Sequence, residues 1–600
     1  MKKLFLTAFI LAFQSAQAET INVADHGILP GTDVSQKVNE LLASLKGKAD
    51  ITLVFPKGTY EFYPENAVEI YRAVTNHDNG PKRIAFPVFG YEDFTLEGSG
   101  STFMFHGRMS PIVVEGSSGV ILQNFSIDWE TPFHHELKVL ERNEADNSFV
   151  AEISPMKYGF EIKDQKLFFN HYDWQDEIGQ NVAFDPKTNA PLWDTQLYQL
   201  RGKQAKATKL GENTVSLKNA TKVPPPVGAV ICTYGNAPTN RLAQAIHLDR
   251  TKNTRIENVT VYAAGGMALI AERSENIELD KVIVTSTDER TLATRADATH
   301  FLRCKGLVDV RNCRFEHMAD DGINVHGVYI KINEYKGNRT FLCEINHRQQ
   351  LGLIFAEAGD KVAITSRETV LPIYETTVEK VEIHDESLLS ITVAEVPDDL
   401  PAGLLSMENL SWYPDLVFKN NVIRDNRARS ALISTKGKVL VEDNVFSSQM
   451  HGILIEGDNN SWYESGGVRD ITIQNNVFEN IGYGKGSGYP LYISPLLREE
   501  QRLGDEKYHR NIRFRNNRLK SFNGLLVHGL SVEGLEITGN IVTKDSLYPK
   551  WSELPAIDLN YCEDITIEGN RFEGFDFPIR AAISEDTEEV KFVENPGIER

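Results

Sequence analysis

From about residue 255 onward the chain repeats one phrase. An alternating strand leads to an asparagine turn, a large apolar residue, a short loop and a small residue opening a second strand. VDVRNCRFEHMADDGINVHG, VFKNNVIRDNRARSALIST, VLVEDNVFSSQMHGILIEG and IRFRNNRLKSFNGLLVHG are instances, and GVILQNFSIDWETPF is a weaker one near residue 119. Uninterrupted units step by about 20 to 30 residues, a period that marks a stacked-repeat architecture. Val, Ile, Leu and Phe alternate along each short strand, so one face of every unit is apolar. A single unit cannot bury that face alone; units must stack and share a core. The asparagines suit left-handed turn positions and can ladder from coil to coil. The pattern predicts an all-β fold, a right-handed parallel β-helix.

Two stretches break the rhythm, and each is long enough for a small antiparallel β-barrel-like insertion. The expected organisation is a signal peptide at 1–18, β-helix coils at 19–133, an insertion at 134–240, coils at 241–327, a second insertion at 328–412, and closing coils at 413–600. Insertions of this size either wall a binding cleft or decorate the surface.

Lys2 and Lys3, the apolar run Leu4 to Phe13 and Ala16-Gln17-Ala18 read as a secretory leader cut near Ala18-Glu19, which predicts a periplasmic or secreted protein. The run is too short for a span, and no later segment holds about 18 consecutive apolar residues. The formal charge is −21; without Lys2 and Lys3 it becomes −23. A surface this acidic repels phosphate backbones, so nucleic acid is not an expected partner; it suits a neutral substrate such as a glycan, which charge alone does not show. The five cysteines (Cys232, Cys304, Cys313, Cys343, Cys562) are scattered and odd in number, with no CxxC pair, so they are assigned no chemistry. No motif calls for a cofactor or a metal. A homo-oligomer is compatible with the sequence.

Aligning the second strands of successive units puts Asp297, Asp321, Arg429 and His451 in one column, with Asp320 beside Asp321 and with Tyr489 and Asn523 in later units. Neighbouring coils should lie about 4.8 Å apart. Clustered carboxylates repel and separate in pKa, which is what glycosidic cleavage requires of its acid and base. Capping of turns or a calcium site would use the same residues, although three aspartates make a poor calcium cage. Equivalent groups one coil apart would approach the roughly 5 Å of a retaining pair; Asp297 with Asp320 could open towards the 6.5–9.5 Å of an inverting one. On an extended backbone Asp320 and Asp321 would point opposite ways. Gly322 is expected to leave room for a sugar.

Arg427 and Arg429 could donate to sugar hydroxyls or hold a carboxylate ionised, or simply be solvated. His300, Asn324 and His326 alternate onto the outward side of their strands beside the aspartates. Trp462, in the loop Asn459 to Gly466, could stack on a sugar face or pin the loop, and Glu464 would then read hydroxyls.

ADATHFLRCKG, FEHMADDGINVHG, RARSALIST and WYESG, with IDWETPF earlier, resemble glycoside hydrolase family 110, the bacterial α-1,3-galactosidases. The resemblance runs through nearly the whole chain after the leader, both insertions included. It implies metal-independent, inverting removal of terminal α-1,3-linked galactose, as on blood-group-B-like branched glycans, and leaves open whether linear Gal-α-1,3-Gal is cut as well. Asp297, Asp320 and Asp321 match the family's acidic motifs; two would transfer protons and the third would support them. Two other readings remain: a β-helix hydrolase or lyase of acidic polysaccharide, which the acidic balance disfavours, and a non-catalytic glycan-binding β-helix.

Overall fold

A computed structural model describes residues 19–600 apart from 237–240, 401–402, 487 and 499–500. The expected leader at 1–18 lies outside the described residues. Among the described residues no helix is long and apolar enough to cross a membrane.

The apolar stripes do stack. Lys252–Val261, Glu275–Asp280, Lys305–Arg311, Asp415–Lys419 and Lys438–Glu442 pair in parallel as successive rungs, and the ladder continues to Val590–Val593. A second parallel ladder runs from Ile246–Asp249 through Leu269–Glu272, Thr299–Leu302, Ile323–Tyr335, Ala431–Ser434 and Ile453–Asp458 to Ala581–Ile583. Inward residues of both ladders, such as Ile277, Phe301, Val325, Ile433 and Ile473, share one continuous buried core. The chain is therefore a parallel β-helix.

The asparagine turns have two jobs. Asn420, Asn475 and Asn516 take left-handed backbone at φ of 58°, 59° and 55°, which a short polar side chain tolerates. The next residue then turns inward. Asn421, Asn444, Asn476, Asn517, Asn540, Asn570 and Asn595 form a ladder in which each Nδ2 and main-chain N–H donates to the Oδ1 below, at 2.9–3.1 Å. Each buried amide is thus satisfied by its own kind, as burial demands.

At the N-terminal end the molecule adds an element that the repeat did not announce. Val38, Leu41, Leu42 and Leu45 recur at helical spacing on the α-helix Ser35–Leu45 and join the main core. That helix closes the first coils, where a repeat stack would otherwise expose its apolar lumen.

The first insertion is an antiparallel six-stranded sheet that includes His135–Asn143 and Val230–Thr233, with a three-stranded sheet alongside and a core of its own. The second is a closed six-stranded antiparallel barrel. Its first strand is no separate element: Ile323–Tyr335 begins as a coil rung and runs on into the barrel. A shared strand fixes the barrel rigidly to the coil that carries Asp320 and Asp321.

Candidate functional site

Strand register sets the charged column. Thr299 pairs with Ile323, Ile323 with Ala431, Ala431 with Ile453, Ile453 with Leu491, and Leu491 with Val527. Two residues upstream of each lie Asp297, Asp321, Arg429, His451, Tyr489 and Leu525. After Tyr489 the column therefore holds Leu525 and not Asn523, which instead accepts from the N–H of Trp551 at 3.0 Å. The Asn523 position was misjudged because the length of that unit's loop shifts the register by two.

Asp297, Asp320 and Asp321 each bring a carboxylate oxygen within 4.8 Å of the others. The expectation that Asp320 and Asp321 diverge fails because neither is in a strand: both precede the strand Ile323–Tyr335, Asp320 in a bend and Asp321 in irregular chain, after the left-handed His317. Gly322 does not open room for a sugar. A Cβ there would lie 2.5 Å from Ile423 Cγ2 and 2.6 Å from the Ser430 carbonyl oxygen, so the glycine serves coil packing.

Each aspartate has a distinct setting. Asp320 accepts from Arg241 Nη2 at 2.7 Å and from Arg427 Nη2 at 3.0 Å. Asp321 accepts from the main-chain N–H of Arg429 at 2.8 Å and from its Nη2 at 2.7 Å. Asp297 accepts from the N–H of Asp321 at 3.3 Å and meets His300 Nδ1 at 2.7 Å. His300 Nε2 in turn meets His326 Nε2 at 2.8 Å and Asn76 Nδ2 at 3.2 Å. The column itself accounts for Arg429 beside Asp321, whereas Arg241 arrives from the chain that follows the first insertion.

Burial drives Asp320 up, but Arg427, Arg241 and Arg429 outweigh it and hold its carboxyl below the ordinary range. Burial, opposed by Arg429 and reinforced by Asp320 and Asp297, pushes Asp321 up to about 8. Interacting sites share their titration, so the cluster as a whole keeps a proton at neutral pH while another carboxyl is ionised. Burial likewise pushes Glu464 up to about 8 and Glu456 up to about 7. By spacing alone the three aspartates could grip a cation. Three paired guanidiniums already offset their charge, which makes the group a poor cage for one.

A cavity of about 450 Å³ opens over all three aspartates, with His300, Asn324, Arg429, His451, Glu464 and Tyr492 among its walls. A neighbouring cavity of about 460 Å³ shares Asp320, Arg241, Arg427 and Trp462 with it. That second lobe is walled by the first insertion through Gln180 and Tyr234 and by the barrel insertion through His347 and Gln349. Both insertions therefore build cleft wall.

Most of the predicted polar residues converge here. Trp462, 39% exposed, lines both lobes, packs on His347 with centroids 4.3 Å apart and has Arg241 over its ring. His451 stacks on Tyr492 at 4.3 Å, and burial drives its imidazole down to about 3, so it faces the cavity neutral. Glu464 sits on a short strand paired with Gly327 and Val328. His326 is the exception: it is fully buried behind His300, with Nδ1 on the Gly327 carbonyl at 2.6 Å, and does not line the cavity. Its Nε2 also lies 3.4 Å from Glu464 Oε1. Sequence reasoning missed Asn76, Arg241, His347, Glu456 and Tyr492. Of these, Glu456 and Tyr492 carried a usable signal, since both lie on paired coil rungs, Glu456 opposite Ser494 and Tyr492 opposite Leu454.

Residues 135–231 match a family model described as GLAA-B beta-barrel domain I. The chain is 30% identical over 568 residues to the alpha-1,3-galactosidase A of Shewanella woodyi, covering 93% of this chain and 92% of that one. It is 32% identical over 596 residues to an alpha-1,3-galactosidase B of Phocaeicola vulgatus, covering 94% and 96%. Among solved structures it is similar to an exopolygalacturonase of Thermotoga maritima, at 11% identity and a TM-score of 0.42 over 92% of each chain.

Proposed function

The chain belongs to the α-1,3-galactosidases, glycoside hydrolase family 110, and from that premise we propose that it removes terminal α-1,3-linked galactose from glycans by acid/base hydrolysis. The observation that carries this is the meeting of Asp297, Asp320 and Asp321 on a cavity wall, in settings that keep one carboxyl protonated and another ionised. Hydrolysis needs that pair, one to protonate the leaving oxygen and one to activate water or attack carbon. The galactose occupies the lobe lined by all three aspartates. The remaining glycan extends past Asp320 into the lobe between the insertions. Arg241, Arg427 and Arg429 are each committed to an aspartate, which favours a neutral sugar over a uronate.

His451, Glu464, Asn324 and His300 are placed to read hydroxyls, and Trp462 to pack on a ring face. The cleaved leader expected at 1–18 would carry the enzyme to the periplasm or the medium, where such glycans are met.

The family resemblance implies inversion. The 4.8 Å limit holds for one oxygen of each carboxylate and is not the separation of the carboxyl groups, which is what distinguishes inversion from retention. Galactose release from Gal-α-1,3-Gal and from the fucose-branched B trisaccharide, followed by NMR, decides both questions. β-Galactose formed first establishes inversion and α-galactose retention; no release from either sugar overturns the proposal.

A further inference from the structure

A second cluster lies outside the cleft, where the first insertion meets the coils. Glu136 lies on the strand His135–Asn143 and His134 in the bend just before it, which turns the imidazole towards the Glu136 carboxylate. The strand Val230–Thr233 pairs antiparallel to it and sets Cys232 directly opposite Glu136. His134 Nε2 stands 3.4 Å from Glu136 Oε1, and Cys232 Sγ stands 3.8 Å from that same oxygen. One donor atom from each of the three lies within 4.8 Å of the others. The residues are 2%, 8% and 0% exposed.

These separations match the edges of a coordination tetrahedron. Bond lengths of about 2.0–2.1 Å to imidazole, 2.0–2.2 Å to carboxylate and 2.3 Å to thiolate give edges of about 3.3 Å between N and O and about 3.6 Å between O and S. The two edges to Glu136 lie within about 0.2 Å of these values, and the His134–Cys232 edge, no longer than 4.8 Å, closes as imidazole and thiol draw in on the ion. A donor set mixing nitrogen, oxygen and sulfur selects zinc-like ions over calcium or magnesium, which take oxygen. A cavity of about 810 Å³ bordered by His134 and Glu136 supplies an entry path and a water for the fourth position. The nearby cations are already neutralised: Arg290 Nη2 pairs with Asp128 at 2.6 Å and Arg295 Nη2 with Asp176 at 2.8 Å.

We propose that His134, Glu136 and Cys232 bind one divalent ion of the zinc class as a structural staple. Glu136 Oε1 also accepts from the N–H of Thr291 at 2.6 Å. The ion would therefore tie both end strands of the first insertion to the loop leading into the coil of Asp297. It takes no part in hydrolysis, so the proposal stands or falls independently of the cleft chemistry.

The test uses the full-length protein, stripped with a chelator and titrated with Zn²⁺ or Co²⁺. About one ion per chain is expected, as at any three-ligand site. The cobalt form should show a thiolate-to-cobalt charge-transfer band that vanishes in Cys232→Ser and in Cys232→Ala. Chelation should lower the Tm of the natural protein, zinc should restore it, and both should leave a folded Cys232→Ser unmoved. Metal content below about one tenth of an ion per chain, or a cobalt spectrum without the thiolate band, overturns the proposal. So does zinc bound equally well by the Cys232 variants.

Discussion

At one corner of the coils a row repeats a single side chain, Asn421, Asn444, Asn476, Asn517, Asn540, Asn570 and Asn595. At another the row runs Asp297, Asp321, Arg429, His451, Tyr489 and Leu525. The backbone logic of the two rows is the same, since both stack through parallel rungs. Their electrostatics are opposed. An amide both donates and accepts, so identical amides one coil apart satisfy each other and the row extends indefinitely. Carboxylates only accept, so two aspartates in adjacent coils leave a repulsion that burial magnifies. That row survives only where arginines interrupt it and a proton is retained. Uniformity makes a scaffold; its local failure makes a reactive site.

The largest effects should come from removing that failure. Replacing Asp320 or Asp321 with Asn makes the charged row more like the neutral one. Turnover should fall by about 10²–10⁴-fold, the usual contribution of a positioned acid or base. Circular dichroism should show a folded chain. Rescue by azide would mark the variant lacking the base, and retained cleavage of an activated aryl galactoside the one lacking the acid. Substituting the other row should do the reverse. Asn476→Ala strips the Oδ1 acceptor from the N–H and Nδ2 of Asn444 and removes the Nδ2 donor to Asn517 Oδ1, while the main-chain N–H at 476 still donates there. It should cost roughly 2–4 kcal/mol in chemical denaturation, since each unsatisfied buried group costs about 1–3 kcal/mol. Activity of the folded fraction should be unchanged.

Titration separates the rows as well. The raised carboxyls of Asp321 and Glu464, both at about 8, bind protons that the unfolded chain releases near pH 4. The folded state therefore holds the extra protons across that window, and its stability should fall as pH rises towards 8. kcat/KM should decline above about pH 8 if the cluster's proton is the one donated. Glu464→Gln should flatten the stability profile. The smallest effect belongs to Trp462→Ala: loss of stacking worth about 0.5–1.5 kcal/mol should raise KM roughly 2- to 13-fold with kcat little changed.

The readability of the sequence followed the same division. Whatever rests on repetition could be read directly: the β-helix from its alternating strands, the ladder from its asparagines, and Asp297, Asp321, Arg429 and His451 from one alignment. Asp320 was identified by adjacency, but its direction was not, because a bend replaced the extended backbone assumed there. What depends on docking between distant segments left no period to follow. Arg241, which holds Asp320, and His347, which backs Trp462, come from chain outside the repeat units. The helix Ser35–Leu45 carries its own helical spacing, which a strand period of two does not reveal. His134, Glu136 and Cys232 meet only because two strands almost a hundred residues apart pair in one register.

The account turns on where the sugar sits. The most direct measurement is a crystal structure of the Asp320→Asn variant with Gal-α-1,3-Gal. The non-reducing galactose is expected in the lobe lined by Asp297, Asp321, His451 and Glu464, with its anomeric carbon facing the aspartates and its partner sugar past residue 320. A disaccharide bound elsewhere, or one whose anomeric carbon faces away from all three positions, would contradict it.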